Sequence, residues 1–75
     1  MTIPERLRAL REDMREKTTQ GELGKQLNMS QRAISRLETG ESHINDDALL
    51  AYCAFFHVSA DYILGLPDDL PYPKD

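Results

Sequence analysis

Apolar residues recur at helical spacing along most of the 75-residue chain. Near the N-terminus, four of them fall on one face of a helix, three or four residues apart: Ile3, Leu7, Leu10 and Met14. Charged residues fill most of the positions between them. No segment alternates between apolar and polar residues over the length of a strand. The pattern therefore predicts an all-α fold.

Residues that cap helices divide the chain into five helical segments. Thr2 with Glu5, and Thr19 with Glu22, have the spacing at which a threonine and a glutamate bind each other's backbone amides. Further helix starts are expected at Ser30, Asn45 and Ser59, and helix ends at Asn28, Gly40, His57 and Gly65. The first helix should fade near Glu16–Lys17, the fourth should reach about Phe56, and the fifth should run from Ala60 to Leu64.

The second and third helices are joined by only three residues, Asn28-Met29-Ser30. Two short helices joined in this way form a helix-turn-helix, in which the second helix presents its first residues to base edges in the major groove. The third helix should bury Ala33, Ile34 and Leu37 and leave four polar residues outside, here called the base-facing set: Gln31, Arg32, Ser35 and Arg36. Glutamine can pair with adenine and arginine with guanine through two hydrogen bonds each.

The segment TQGELGKQLNMSQRAISRLETG, residues 19–40, resembles the helix-turn-helix of the lambda-repressor/Cro type, also called the XRE family. Members commonly carry T-Q-x-x-L-A, a short turn and S-x-x-x-I-S-x-x-E-x-G, and this chain keeps that frame. The segment VSADYILG, residues 58–65, resembles the usual end of the domain, so the resemblance spans roughly residues 5–65. It implies a compact five-helix, lambda-repressor-like DNA-binding domain that regulates transcription, most often as a repressor.

The resemblance also implies roles for individual residues outside the base-facing set. Gln20 should contact a phosphate and brace the third helix, and Arg11 and Glu38 should form an internal ion pair. Phosphate contacts are expected from a second group, here called the phosphate set: Gln20, Lys25, Thr39, Ser42 and His43. The chain departs from the family in having two extra residues between Leu10 and Gln20, which could lengthen the first helix by half a turn. Gly24 stands where alanine is usual, and Glu41 and His43 stand in a loop that is often more basic.

The distribution of charge is more informative than the net charge of −4. Residues 1–40 carry eight basic and six acidic residues, an excess of two positive charges. Residues 41–75 carry one basic and seven acidic residues, an excess of six negative charges. This asymmetry is compatible with a basic face for nucleic acid and an acidic back, but on charge alone ordinary solvated helix surfaces are the favoured explanation.

Candidate catalytic and metal-binding residues are few. Cys53 and His57 are four residues apart, but no third ligand or orienting acid lies at a suitable spacing, so we expect neither a metal site nor a catalytic dyad. The sequence thus predicts no enzyme activity and no cofactor. No apolar run approaches the about 18 residues of a membrane span, and a single cysteine gives no sign of an oxidising compartment. A cytoplasmic protein of bacterial or phage origin, with no membrane partner, is expected.

The fourth helix carries more apolar residues than a surface helix needs, because residues 49–56 are all non-polar. The core should use Leu49, Cys53 and Phe56, with Leu50 or Tyr52, which leaves Ala51, Ala54 and Phe55 over. We therefore expect a homodimer on a palindromic operator, with an interface formed by Phe55, Leu66, Leu70 and Tyr72. A partly exposed apolar surplus without a partner would explain the same pattern.

The chain is expected to hold one domain, residues 1–65, followed by a proline-rich tail, residues 66–75. The predicted partner is double-stranded DNA, and no small-molecule effector is evident. The acidic composition and the apolar fourth helix leave one alternative function open. The chain could be a protein-interaction module, such as an antitoxin or an anti-repressor, that keeps the fold but binds a polypeptide.

Overall fold

The structure, a computed structural model, describes residues 1–66. This part of the chain forms five helices and no strand, which confirms the predicted all-α fold. The helices are α1 (Ile3–Glu12), α2 (Gln20–Leu27), α3 (Gln31–Thr39), α4 (Asp46–Phe56) and α5 (Ala60–Leu64). In residues 1–66 no helix has both the length and the apolar character that crossing a membrane requires.

Local side-chain chemistry sets the helix boundaries. All five predicted N-caps accept a hydrogen bond from a backbone amide of the first turn, and both threonine–glutamate pairs are reciprocal: the N-caps are Thr2, Thr19, Ser30, Asn45 and Ser59. At the other ends, Asn28 and His57 adopt the left-handed conformation, with φ of 57° and 56°. Gly40 and Gly65 do the same at the ends of α3 and α5. The predicted caps are therefore confirmed.

The first helix is shorter than expected, and the prediction that it extends to Glu16–Lys17 is wrong. It ends at Glu12, and the amide of Met14 donates to the carbonyl of Arg11 at 3.3 Å instead of continuing the helical pattern. The Arg11 guanidinium donates to the carbonyl of Thr18 at 3.0 Å, which ties the connection back to the last turn of α1. The two extra residues of this chain therefore lie in the α1–α2 connection and do not lengthen the helix.

One hydrophobic core joins the five helices. Each helix contributes one side chain with at most about 1% exposure: Leu7, Leu23, Ile34, Tyr52 and Ile63. Leu27, Leu37 and Ala48 complete the buried cluster, whereas Ala33, expected in the core, is only half-buried. The core holds α3 against both α1 and α2, and this packing fixes which face of α3 points outward.

The prediction for the inward face of α4 is confirmed in part, because Leu49, Cys53 and Phe56 pack against the core, and Tyr52 is the additional core member. Ala48 and Tyr52 are buried, while Leu49, Cys53 and Phe56 are only half-buried. The ring of Tyr52, which is fully buried, stacks on that of Phe56, one helical turn later, with 5.8 Å between ring centroids. On the same helix Leu50 is 68% exposed. Within residues 49–56 no polar position distinguishes the two sides of the helix.

The hydroxyl of Tyr52 is buried without a hydrogen-bond partner in the described part of the chain. Burial, followed by the negative charge of Glu38, raises the pKa of Tyr52 well above its usual range. A buried hydroxyl that makes no bond costs about 1–3 kcal/mol of desolvation. We therefore expect Tyr52→Phe to leave the free energy of unfolding unchanged or to raise it by about 1 kcal/mol. Urea unfolding measures this effect, and a clear loss of stability would show that the hydroxyl is bonded.

Candidate nucleic-acid interface

The turn between α2 and α3 is closed by backbone contacts. Left-handed Asn28 ends α2, the amide of Met29 donates to the carbonyl of Gly24 at 2.7 Å, and Ser30 caps α3 through the amide of Ala33 at 3.0 Å. Gly24 lies so close to this turn that an added Cβ would be 2.5 Å from the carbonyl oxygen of Met29. In this structure Gly24 therefore allows the close approach of α2 to the turn, and a Cβ would fit only if the backbone of the turn moved.

The base-facing set lies on the outer side of α3. Gln31, Arg32 and Arg36 are exposed and Ser35 is half-buried, while Ile34 and Leu37 on the opposite side are buried. The first turn of α3 contains no acidic residue, so no carboxylate of that turn opposes the two arginines. The structure therefore brings the four residues onto one accessible face, as a groove-binding helix requires. Their contacts with bases stay a prediction.

Side-chain hydrogen bonds hold the start of this face in place. Gln31 donates from Nε2 to Oε1 of Gln20 at 2.9 Å, and Gln20 donates from Nε2 to Oε1 of Glu38 at 3.1 Å. Gln20 therefore supports the start of α3 through this hydrogen bond, as expected. Gln31 keeps its carbonyl oxygen and its second N–H for another partner. These are the acceptor and the donor that pairing with an adenine edge uses.

Behind the braced glutamines, Arg11 of α1 and Glu38 of α3 form the predicted ion pair. The guanidinium donates from Nε and Nη2 to the two carboxylate oxygens at 2.8 and 2.9 Å. The two side chains are only 15% and 2% exposed. Burial alone would raise the pKa of Glu38, but hydrogen bonds from Arg11 and Gln20 outweigh it and hold that pKa below its usual range. The charged pair thus anchors α3 to α1 beneath the base-facing set.

The phosphate set is spread over two parts of the surface. Gln20 and Lys25 lie on α2, half-buried and exposed respectively. The other members, Thr39, Ser42 and His43, lie at the end of α3 and in the loop that follows it. Thr39 Oγ1 and the amide of Ser42 both donate to the carbonyl of Arg36, at 3.3 and 3.2 Å, so this loop folds back on α3. Sequence reasoning missed that the same loop places Glu41 beside Arg36, with 3.6 Å between Oε2 and Nε.

The residues expected at a dimer interface are only partly described. Phe55 is half-buried, with its ring edge-on to Phe56 at 5.0 Å between centroids, and Leu66 is exposed. Leu70 and Tyr72 lie outside the described residues. The structure adds exposed apolar side chains that the sequence analysis did not assign to a surface: Met1, Leu50, Tyr62 and Leu64. For Leu50 a signal existed, because it follows Asp46 by one helical turn and so shares the polar side of α4.

Candidate metal ligands do not converge in the part of the chain that is described. Among residues 1–66, no three histidine, cysteine, aspartate or glutamate side chains are placed to hold an ion. Cys53 is a half-buried free thiol and His57 is exposed at the end of α4.

Comparison with known proteins identifies the family. A search of the curated proteins found no match, but the family model described as helix-turn-helix matches residues 7–63. The P22 c2 repressor, solved in complex with the synthetic operator 9T in the presence of Tl⁺, is 38% identical, with a TM-score of 0.77 over 85% of this chain and 94% of that one. The solution structure of the DNA-binding domain of the P22 c2 repressor is 36% identical, with a TM-score of 0.74 over 84% of this chain and 80% of that one. The chain therefore belongs to the helix-turn-helix family, of the XRE type that its sequence resembles.

Proposed function

We propose that this protein binds double-stranded DNA sequence-specifically and regulates transcription as a repressor, with α3 in the major groove. The exposed, hydrogen-bond-capable face of α3 carries this proposal, because a rigid connection to α1 and α2 holds it outward. The family and the likeness to a repressor solved with its operator support the same function. The family consists of DNA-binding regulators and is not an enzyme family, and we propose neither catalysis nor a cofactor.

Within this proposal, the base-facing set specifies sequence and the phosphate set fixes orientation. Gln31 would read adenine, Arg32 and Arg36 would read guanine, and Ser35 would donate to or accept from either base of a pair. Contacts to phosphate position a protein on the duplex but carry no sequence information of their own. We assign DNA binding to residues 1–65 and treat residues 66–75 as an appended tail. A cytoplasmic location in a bacterium or a phage-infected cell is part of the same proposal.

Selection of duplexes from a random library, followed by titration of variants on the selected duplex, tests the function. We expect Arg32→Ala and Arg36→Ala each to lose about 1–3 kcal/mol of binding free energy and to relax preference at one base pair. Lys25→Ala should instead weaken binding to selected and scrambled duplexes alike and make the salt dependence shallower. Equal losses on both duplexes for the two arginine variants would remove the base-reading assignment.

Retention on DNA resin distinguishes this function from the alternative of a protein-interaction module. A protein that binds through phosphate contacts is retained at low salt and released as salt rises, because binding displaces condensed counterions from the duplex. An antitoxin or anti-repressor that keeps only the fold would pass through the resin. Passage at low salt would therefore contradict the proposal.

We further propose that the protein acts as a homodimer on a palindromic operator. Support comes from apolar side chains exposed near the end of the described chain, which include Tyr62, Leu64 and Leu66. A two-fold dimer would place two copies of α3 about 34–36 Å apart, one turn of DNA. Analytical ultracentrifugation should detect a dimer, and the selected sites should be inverted repeats. A monomer that persists at high concentration with and without DNA would contradict this part of the proposal.

A further inference from the structure

Arg36, at the C-terminal end of the base-facing set, has an acidic neighbour whereas Arg32 has none. Oε2 of Glu41 lies 3.6 Å from Nε of Arg36, and the two side chains are 65% and 47% exposed. No carboxylate of residues 1–66 forms an ion pair with Arg32. An ion pair this exposed contributes little to the stability of a fold. The Arg36–Glu41 pair therefore has no evident structural purpose.

The backbone determines where Glu41 lies. Gly40 ends α3 in the left-handed conformation, with φ of 85°, and turns the chain back over the last turn of the helix. The amide of Ser42 then donates to the carbonyl of Arg36 at 3.2 Å. Glu41 thus lies between Gly40, which reverses the chain, and Ser42, whose amide is hydrogen-bonded to the carbonyl of Arg36. The loop backbone therefore keeps Glu41 close to Arg36 without help from distant parts of the protein.

The edge of the guanidinium that faces Glu41 determines which edge remains for DNA. A guanidinium has five N–H donors in a planar fork, and guanine offers the two acceptors O6 and N7 in the major groove. Nε is the guanidinium nitrogen nearest the carboxylate, at 3.6 Å, which is an ion-pair contact and not a hydrogen bond, so the terminal edge formed by Nη1 and Nη2 is left to meet both acceptors at once. We propose, on the basis of the proposed function, that Glu41 is a positioning residue that orients Arg36 for a guanine and so sets preference at that base pair.

The variant Glu41→Gln, which removes the charge and keeps the shape, tests this role. Arg36→Ala first identifies the base pair that Arg36 contacts, and Arg32→Ala identifies the one for Arg32. With Glu41→Gln, we expect guanine preference at the Arg36 pair to fall about two- to tenfold, the effect of leaving one long side chain unordered. Preference at the Arg32 pair should not change. Affinity for a scrambled duplex should stay equal or rise, because a negative charge near the phosphates is lost.

Asp13→Asn is the matched control. Asp13 is exposed at the end of α1 and forms no ion pair among residues 1–66, so this variant makes the same change in net charge away from Arg36. It should not alter preference at either base pair. In the Arg36→Ala background, Glu41→Gln should cause no further loss of preference. The melting temperature reports that each variant is folded.

Three outcomes are decisive. If Glu41→Gln changes affinity for all duplexes by one common factor, as Asp13→Asn would, then Glu41 acts only as a charge and the inference is overturned. An unchanged preference at the Arg36 pair overturns it as well. In both cases a wild-type protein that still prefers its selected duplex leaves the proposed function intact. A wild-type protein that binds no duplex, or all duplexes equally, overturns the proposed function and this inference with it.

Discussion

Replacing Arg11 with methionine is expected to lower the free energy of unfolding by about 3–5 kcal/mol, the cost of leaving one member of a buried ion pair without its partner. The carboxylate of Glu38 is 2% exposed, and without Arg11 only Gln20 would remain to donate to it. A small domain has only about 5–15 kcal/mol of stability in total. Urea unfolding should therefore show a large fall in the midpoint, and DNA binding should weaken because α3 loses its attachment to α1.

Arg8→Met is the matched control for this substitution. Arg8 lies on the same helix and pairs with Glu12 at 3.3 Å, but the two side chains are 62% and 52% exposed. A pair this exposed is worth about 0–1 kcal/mol, so the control should unfold almost as the wild type does. Equal effects of the two substitutions would mean that the Arg11–Glu38 pair is not the anchor described above.

The effect of Arg11→Met should also depend on pH. In the folded wild type the pKa of Glu38 lies below its ordinary value of 4.5. The charged pair therefore contributes stability that is present above pH 4.5 and is lost as pH falls through the lower, folded pKa. Without Arg11, burial dominates and raises the pKa of Glu38. In the variant, the Glu38 carboxylate therefore binds a proton more readily when the protein folds. The stability difference between wild type and variant should be largest near neutral pH and should narrow under acid.

Replacing Gly24 with alanine is expected to destabilise the protein, although alanine is the better helix former. The new Cβ would lie 2.5 Å from the carbonyl oxygen of Met29, a backbone atom that cannot rotate away. Forcing a group into a filled site costs about 1–3 kcal/mol, and relief of this contact requires α2 and the turn before α3 to separate. We expect a lower urea midpoint together with weaker binding to the selected duplex.

Gly21→Ala, on the same helix, is expected to have the opposite effect on stability from Gly24→Ala. The nearest atoms to a Cβ at Gly21 are side-chain carbons of Gln31 at 3.7 and 3.8 Å, which is ordinary contact. Alanine should therefore stabilise the protein by about 0.5–1 kcal/mol through helix propensity alone. If Gly21→Ala and Gly24→Ala raise the free energy of unfolding equally, Gly24 does not lie as close to the turn as described above.

Local chemistry explains why so much of the fold could be predicted. Each N-cap side chain accepts a hydrogen bond from an amide three residues away, and Asn28 and Gly40 readily adopt the left-handed conformation that ends a helix. A short window of sequence therefore determines where most of the helices begin and end. The end of α1 was not predicted, and there Arg11 donates to the carbonyl of Thr18 across the α1–α2 connection, a contact that a short window of sequence does not contain. The choice between Leu50 and Tyr52 on α4 was left open because residues 49–56 are all apolar, and the contrast lay outside this run, at Asp46, one helical turn before Leu50.

The candidate site divides in the same way. Exposure of Gln31, Arg32 and Arg36 follows from the helical period of α3, and the role of Gln20 as a brace follows from the family resemblance. Two features depend on the folded turn and loop and have no signature in the sequence. They are the absence of room at Gly24 and the approach of Glu41 to Arg36.

A nitrogen-15 NMR titration of the protein with its selected duplex tests directly whether α3 is the element that contacts DNA. We expect the largest chemical-shift changes at the amides of residues 30–36 and at the side-chain amides of Gln20 and Gln31. Signals of α4 and α5 should change little, except at a dimer contact. A scrambled duplex should shift the phosphate set without the large changes in the first turns of α3. If the selected duplex instead shifts the signals of α4 and α5 and leaves those of α3 unchanged, DNA binds elsewhere and the assignment of α3 as the DNA-contacting helix is wrong.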